Sequence, residues 1–254
     1  MIMPNKPLIS IITVVYNSVN FLEGSIKSIA LQDSKNFEHI IVDGGSTDGT
    51  LELIHRYENQ IHQWISEPDK GLYDAMNKGI RMARGEYIWF INSGDKLYEN
   101  QTISKIEVIV ELNSMPDIVY GETVIIDEND IEIGLRRLKT PQNLSVKSLF
   151  NGLVVCHQSF IIKRNIASEY NLKYKIAADY DWVLKALKSS KTIVNSNLIL
   201  SRYLDNGFSK NNIPKALKER FGIMAKEFGW FKTALKHIVI GTRFFTYFLK
   251  NRRF

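Results

Sequence analysis

The first 95 residues alternate short apolar runs with helical segments, and this alternation restricts the fold more than any other feature of the chain. Residues 8–15 form a β-branched run that reads as a buried strand, ending at Tyr16-Asn17-Ser18. Ser18 or Asn20 can cap a helix over residues 21–31. Residues 39–42 give a second strand, stopped by Asp43-Gly44-Gly45, and Ser46-Thr47-Asp48-Gly49 leads into a helix that runs to Tyr57. Residues 64–66 give a third strand. Residues 72–83 give a third helix, with apolar spacing at Leu72, Ala75, Met76, Ile80 and Ala83. Gly85 closes that helix, and residues 87–91 form a fourth strand. Strands joined through helices of this length require crossover connections and a largely parallel sheet. Polar clusters sit where the strands end: Asn17, Asp43, Glu67 with Asp69, and Asn92 with Asp95. In open α/β sheets, that edge binds ligands.

The second half is less regular. Residues 117–126 and 131–135 flank Asp127-Glu128-Asn129-Asp130, the pattern of a hairpin with a polar turn; residues 156–162 suggest a strand and 179–187 a helix. A chain of 254 residues suffices for one large α/β domain. The expected division is a main α/β domain over 1–205, with halves over about 1–100 and about 101–205, and a helical tail over 206–254. With 44% hydrophobic and 24% charged residues, the composition argues against disorder. The lone Cys156 excludes an internal disulfide framework and a multi-cysteine zinc site, and reads as an inert core thiol. No window approaches the roughly 18 apolar residues of a spanning helix, and the amino terminus lacks a signal-peptide pattern. A cytoplasmic location is expected.

Residues 42–49 place two carboxylates, Asp43 and Asp48, around three glycines in a strand-to-helix turn. Glycines let backbone approach a ligand closely, and a carboxylate there can accept from ribose or a base edge. An Asx-type turn that caps the next helix explains the same residues. Neither a Walker loop nor the Gly-x-Gly-x-x-Gly fingerprint is present. Asn92-Ser93-Gly94-Asp95 closes an apolar strand with one acid, which can hold a divalent cation that grips phosphates, or can simply form the turn.

Four segments together resemble glycosyltransferase family 2, built on the GT-A nucleotide-binding fold: residues 10–17, 41–50, 67–79, and 83–88 running into 92–95. The match spans about 90 consecutive residues in family order. The resemblance implies an α/β, GT-A, Rossmann-like and mostly parallel sheet flanked by helices. It implies an inverting enzyme that moves a hexosyl or N-acetylhexosaminyl group from a nucleoside diphosphate sugar, UDP-linked, to a hydroxyl of a glycan or polyprenyl-linked acceptor. The setting it implies is surface polysaccharide assembly (capsule, O-antigen or exopolysaccharide). By the same resemblance Asp43 reads the base, Asp69 contacts the nucleoside, and Thr13 and Asn17 line the pocket. Asn77, Lys78 and Ser93, inside the matching segments, are further substrate contacts. Asp95 resembles the last acid of the family's Asp-x-Asp motif, the ligand of Mn²⁺ or Mg²⁺, although Asn92 and Gly94 stand where the motif carries other acids.

Ala177-Ala178-Asp179-Tyr180-Asp181-Trp182 resembles the family's acidic motif at a helix start, with Ala178 in place of Glu. By that alignment Asp179 is the general base and Asp181 a supporting acid or cap; both also suit a helix start through its dipole. His157, in Cys156-His157-Gln158-Ser159, is expected to bind diphosphate or orient the acceptor, or to be a structural histidine. Pro68 and the rings of Trp64, Trp89 and Trp182 read as packing.

Charge is uneven. Residues 206–254 carry 11 Lys or Arg against 2 Asp or Glu, whereas 1–205 carry 22 against 25. Residues 231–250 form a helix with Lys232, Lys236, Arg243 and Lys250 on one side. Phe231, Ala234, Leu235, Ile238, Phe245, Phe248 and Leu249 lie on the other, and Arg252-Arg253 follows. Residues 231–254 either lie on an anionic membrane or pack on the domain with the basic face in solvent. A sugar nucleotidyltransferase would show a glycine-rich basic loop near the amino terminus, and residues 10–17 hold neither glycine nor basic residue. A basic binding module for nucleic acid or membrane is the alternative outside enzymes; acidic strand ends and a basic excess confined to the tail argue against nucleic acid.

Overall fold

A computed structural model describes residues 6–205 and 213–251. Its nine strands are β1 (Ile9–Val15), β2 (Phe37–Asp43), β3 (Gln63–Ser66), β4 (Tyr87–Phe90), β5 (Lys96–Leu97), β6 (Ile118–Ile126), β7 (Glu132–Leu135), β8 (Phe160–Lys163) and β9 (Ile193–Leu204). They form one sheet in the order β3-β2-β1-β4-β8-β6-β9-β5, with β7 added to β6. Strands β1, β2, β3, β4, β6 and β9 point the same way, while β5, β7 and β8 run against them. The mostly parallel α/β sheet expected from the sequence is present.

The β1 side chains alternate as a strand buried on both faces must. Ile12 and Val14 enter the cluster beneath α3 (Leu72–Met82) and α5 (Ala178–Ser189). Ile9 and Ile11 enter the opposite cluster, with Ile103 and Ile106 of α4 (Thr102–Leu112). A third cluster joins Val15 to Leu22 and Ile26 of α1 (Val19–Ala30) and to Leu53 and Ile54 of α2 (Thr50–Arg56). A Cβ on Gly79 of α3 would lie 2.4 Å from Ile12 Cγ2, so glycine sets the distance of that helix from the sheet. Trp89 and Trp182 are buried as packing residues, whereas Trp64 is half-buried with its ring edge-on to His55.

Several elements depart from the sequence reading. The strand expected over 156–162 begins only at Phe160, because His157, Gln158 and Ser159 form a 3₁₀ turn that sends polar side chains toward the strand ends. Strand β9 carries Asn195, Ser196 and Asn197, a composition that reads as loop, yet it is held between β6 and β5. Residues beyond the boundary expected at 205/206 contact the domain before it. Helix α6 (Ile213–Phe228) places Ile223 and Met224 in the core cluster beside α5.

Helix α7 (Trp230–Asn251) follows α6 and docks through Thr233, Lys236 and His237, not through Phe231, Leu235 and Ile238 as an apolar contact face would. Its inward residues include buried Thr233, His237 against the Phe221 ring, and Lys236, which donates to Asn151 Oδ1 at 2.6 Å and lies over the Phe150 ring. Trp230, Phe231, Leu235, Ile238 and Val239 face outward, from 42% exposed at Val239 to 70% at Phe231. Lys236 is therefore a docking residue and not part of a solvated basic face. Arg252 and Arg253, and the side chains of Arg243, Phe245, Phe248, Leu249 and Lys250, lie outside the described residues.

Candidate functional site

The carboxyl ends of β1, β2, β3 and β4 meet along one edge. After β1 the chain turns at Asn17, whose φ of 45° is a left-handed value that asparagine tolerates. Asn17 Oδ1 accepts from Thr47 N at 2.9 Å, and its own N–H donates to Ser46 Oγ at 2.8 Å. Asn17 is thus at the edge and exposed, where it ties the β1 turn to the β2 turn.

Asp43, expected to read a base, is buried and faces inward. Its Oδ2 accepts from Gly45 N, Ser46 N and Ser66 Oγ at 3.1, 3.0 and 2.6 Å, and its Oδ1 from Ser46 Oγ. That carboxylate shapes the turn. Above it lies Gly44, where a Cβ would meet Asp69 Oδ2 at 2.4 Å and the Tyr16 ring at 3.3 Å. Only glycine lets these two side chains lie over the backbone here. Asp69 Oδ1 accepts from Gly71 N at 2.7 Å, leaving Oδ2 for a ligand, and Tyr16 is 63% exposed. Tyr16, Gly44 and Asp69 together make a floor with an acceptor, Asp69 Oδ2, beside it.

Three other expected contacts do not face this floor. Thr13 is buried inside the sheet, donating to Ile91 O at 2.7 Å and paired with His39 Nε2 at 3.0 Å. Asn77 spends both ends of its amide on the Tyr170 backbone, at 3.0 and 2.7 Å, and so ties α3 to the loop before α5. Lys78 donates to Pro68 O at 2.9 Å and pairs with Glu67 at 2.9 Å, which holds the loop carrying Asp69. These residues support the site without reaching into it. Ser93 lies at the edge, its hydroxyl 2.8 Å from that of Ser18.

The turn after β4 carries the second cluster. Asp95 is 4% exposed; its Oδ2 accepts from Gln158 Nε2 at 2.8 Å and its Oδ1 from Leu204 N at 3.1 Å. Burial raises its pKa to about 7, against the pull of those hydrogen bonds, and among the described residues no Lys or Arg pairs with it. The Asn92 amide nitrogen lies 3.1 Å from His157 Nε2, and its amide oxygen is buried with no partner. Desolvation lowers the His157 pKa to about 4, so the imidazole is neutral at pH 7. A buried carboxylate without a counter-charge, beside an unsatisfied amide oxygen, suits a hard divalent cation. Among the described residues no three His, Cys, Asp or Glu side chains converge, so such a cation would take further ligands from phosphate and water.

Two residues apart at the start of α5, Asp179 and Asp181 point to different places. Asp179 accepts from Tyr180 N at 2.8 Å, and its charge acts on Tyr73, Tyr170 and His157, which puts it on the His157 side. Asp181 pairs with Lys185 at 2.7 Å and lines a groove of about 270 Å³ between α5 and α6 with Tyr174 and Lys226. The helix start itself is held from α6. Glu219 accepts from the N–H groups of Lys175, Ile176 and Ala177 at 2.9 to 3.0 Å, so the segment expected to be a helical tail anchors the start of the helix that carries Asp179.

Sequence reasoning passed over Tyr16, Gln158, Glu219 and Arg136. Tyr16 and Gln158 sit inside segments already singled out, next to Asn17 and His157. Glu219 and Arg136 carry no local signal, because their role comes from contacts 42 and 17 residues away.

The glycosyl transferase family 2 profile matches residues 10–170. A Mycobacterium tuberculosis protein named PGL/p-HBAD biosynthesis glycosyltransferase is 29% identical over 217 residues, covering 82% of this chain and 80% of that protein. TuaG of Bacillus subtilis, named as a teichuronic acid biosynthesis glycosyltransferase, is 26% identical over 222 residues, covering 85% of this chain and 87% of TuaG. The structure of S. aureus TarS in complex with UDP superposes with a TM-score of 0.68 at 18% identity, covering 85% of this chain and 65% of the solved one. At that identity the likeness is one of fold.

Proposed function

The chain belongs to glycosyl transferase family 2, and from that membership we propose that it transfers a sugar from a UDP-linked donor, with inversion, to a hydroxyl of a glycan or polyprenyl-linked acceptor in surface polysaccharide assembly. One observation carries the reading: Tyr16 and Asp69 over Gly44, and the Asp95 turn with Asn92 against His157, share the carboxyl edge of one sheet. UDP as the donor nucleotide is supported by the TarS complex, and surface glycans by the names of the two relatives.

The Tyr16 ring stacks on the base while Asp69 Oδ2 accepts from the nucleoside. Asp95 and the Asn92 amide oxygen would hold Mn²⁺ or Mg²⁺, which neutralises charge on the diphosphate leaving group. Neutral His157, held by Asn92, orients the groups beside it. Asp179 removes the acceptor hydroxyl proton as that oxygen attacks the anomeric carbon; the bond to phosphate breaks and its electron pair leaves with the diphosphate. A single displacement inverts the centre. Proton NMR of the product tests this: an α-linked donor must give a β-linked product, and an α-linked product would overturn the single displacement.

Helix α7 supports a peripheral membrane contact. Its outward Phe231, Leu235 and Ile238 are 52–70% exposed, an apolar face left in solvent, and residues 206–254 carry a strong basic excess. An anionic lipid surface meets both features. The protein should float with phosphatidylglycerol vesicles at low salt, and L235D/I238D should stay behind. Equal flotation of the two would refute the contact.

A further inference from the structure

Arg136 follows β7 and reaches over the segment that leads to Cys156 and His157. Its Nη2 donates to Leu153 O at 3.2 Å, whereas Nη1 is buried with no partner among the described residues. The Arg136 charge acts on the Cys156 thiol, the His157 imidazole and the Tyr203 phenol. Asp95 acts on two of the same groups, Cys156 and Tyr203. Leu153, which Arg136 holds, leads within five residues to His157 against Asn92 and to Gln158, which donates to Asp95, so Arg136 belongs to the Asp95–His157 end of the site.

A guanidinium N–H shut off from water without an acceptor is costly, and the cost is recovered when an anion supplies one. Neither a base nor a sugar hydroxyl needs a full positive charge at this end of the site. A diphosphate does, and a guanidinium fork matches phosphate oxygens in geometry and charge. We propose that Arg136 binds the diphosphate of the nucleoside diphosphate donor, adding a fixed positive charge to whatever cation the Asp95 turn holds. The assignment rests on the donor reading above. It makes Arg136 a gate on leaving-group charge: it favours nucleoside diphosphates over nucleosides and is indifferent to the base.

Calorimetric titration of the wild type, R136Q and R136K tests it, with UDP, GDP, CDP and TDP and with the four matching nucleosides, Mn²⁺ present throughout. R136Q should lose about tenfold to a hundredfold in affinity for the preferred diphosphate while nucleoside affinity stays unchanged. R136K should fall between, keeping charge but losing the fork. If R136Q does not fold, R136K decides: diphosphate affinity equal to wild type overturns the assignment. So does an equal loss for nucleoside and diphosphate in either variant, which would mark a structural role. A wild type that binds none of the four diphosphates overturns the donor reading itself, and that outcome is visible without any variant.

Discussion

Asp179→Asn is expected to lower sugar transfer by about 10²–10⁴-fold while leaving nucleotide affinity within about twofold of wild type. The substitution keeps the volume of the side chain and an oxygen that can accept from Tyr180 N, so the start of α5 and its clamp by Glu219 should survive. What it removes is the capacity to take a proton from the acceptor. Asp181→Asn is the matched control. Asp181 pairs with Lys185 and faces the groove between α5 and α6, so its loss should change the rate only a few-fold. Comparing kcat for the two variants with the dissociation constant for UDP separates the roles. A larger rate loss in Asp181→Asn than in Asp179→Asn would move the base to the other side of the helix.

Asp95→Ala carries the second large effect. Bound ligand at a hundredfold over its dissociation constant adds about 2.7 kcal/mol to stability, and the part of that gain that depends on Mn²⁺ should vanish in the variant. The same substitution leaves Gln158 Nε2 and Leu204 N without their acceptor, at about 1–3 kcal/mol each, partly offset by removal of a buried charge. A lower melting temperature alone is therefore not diagnostic. Asp95→Asn, which keeps the shape and an oxygen for Leu204 N, should melt closer to wild type and still lose the Mn²⁺-dependent gain. Thermal unfolding of all three proteins, with nucleotide and with or without Mn²⁺, reads the effect. A Mn²⁺-dependent gain that persists in both variants would place the cation elsewhere.

The parallel half of the sheet was legible because each of its elements is specified locally. The run over 8–15 is apolar on both faces, the turn after it carries Asn17, and the next strand ends on Asp43 and two glycines. The edge where the chemistry lies follows from that order. What could not be read is which side chains turn inward. Thr13 and Asp43 sit in matching segments, yet one is spent on Ile91 O and the other on its own turn. Asn77 is consumed by Tyr170, 93 residues away, a pairing that no local pattern encodes. Strand β9 was missed for a related reason, since its polar residues are satisfied by neighbours, as when Ser196 Oγ donates to Tyr120 O. Amphipathicity defines two faces of the tail helix but not which of them docks, so the packed alternative could not be oriented from the sequence. On α7 the polar Thr233 and Lys236 dock, and the apolar stripe is left outside.

Calorimetric titration of the wild-type protein with UDP, with and without Mn²⁺ and beside GDP, CDP and TDP, decides whether this sheet edge is a nucleoside diphosphate site. UDP should bind saturably and 1:1, more tightly when Mn²⁺ is present, with the other three nucleotides weaker. Failure of all four to bind with Mn²⁺ present would contradict a nucleoside diphosphate site on this edge, and the roles assigned to Tyr16, Asp69, Asp95 and Arg136 would fall with it.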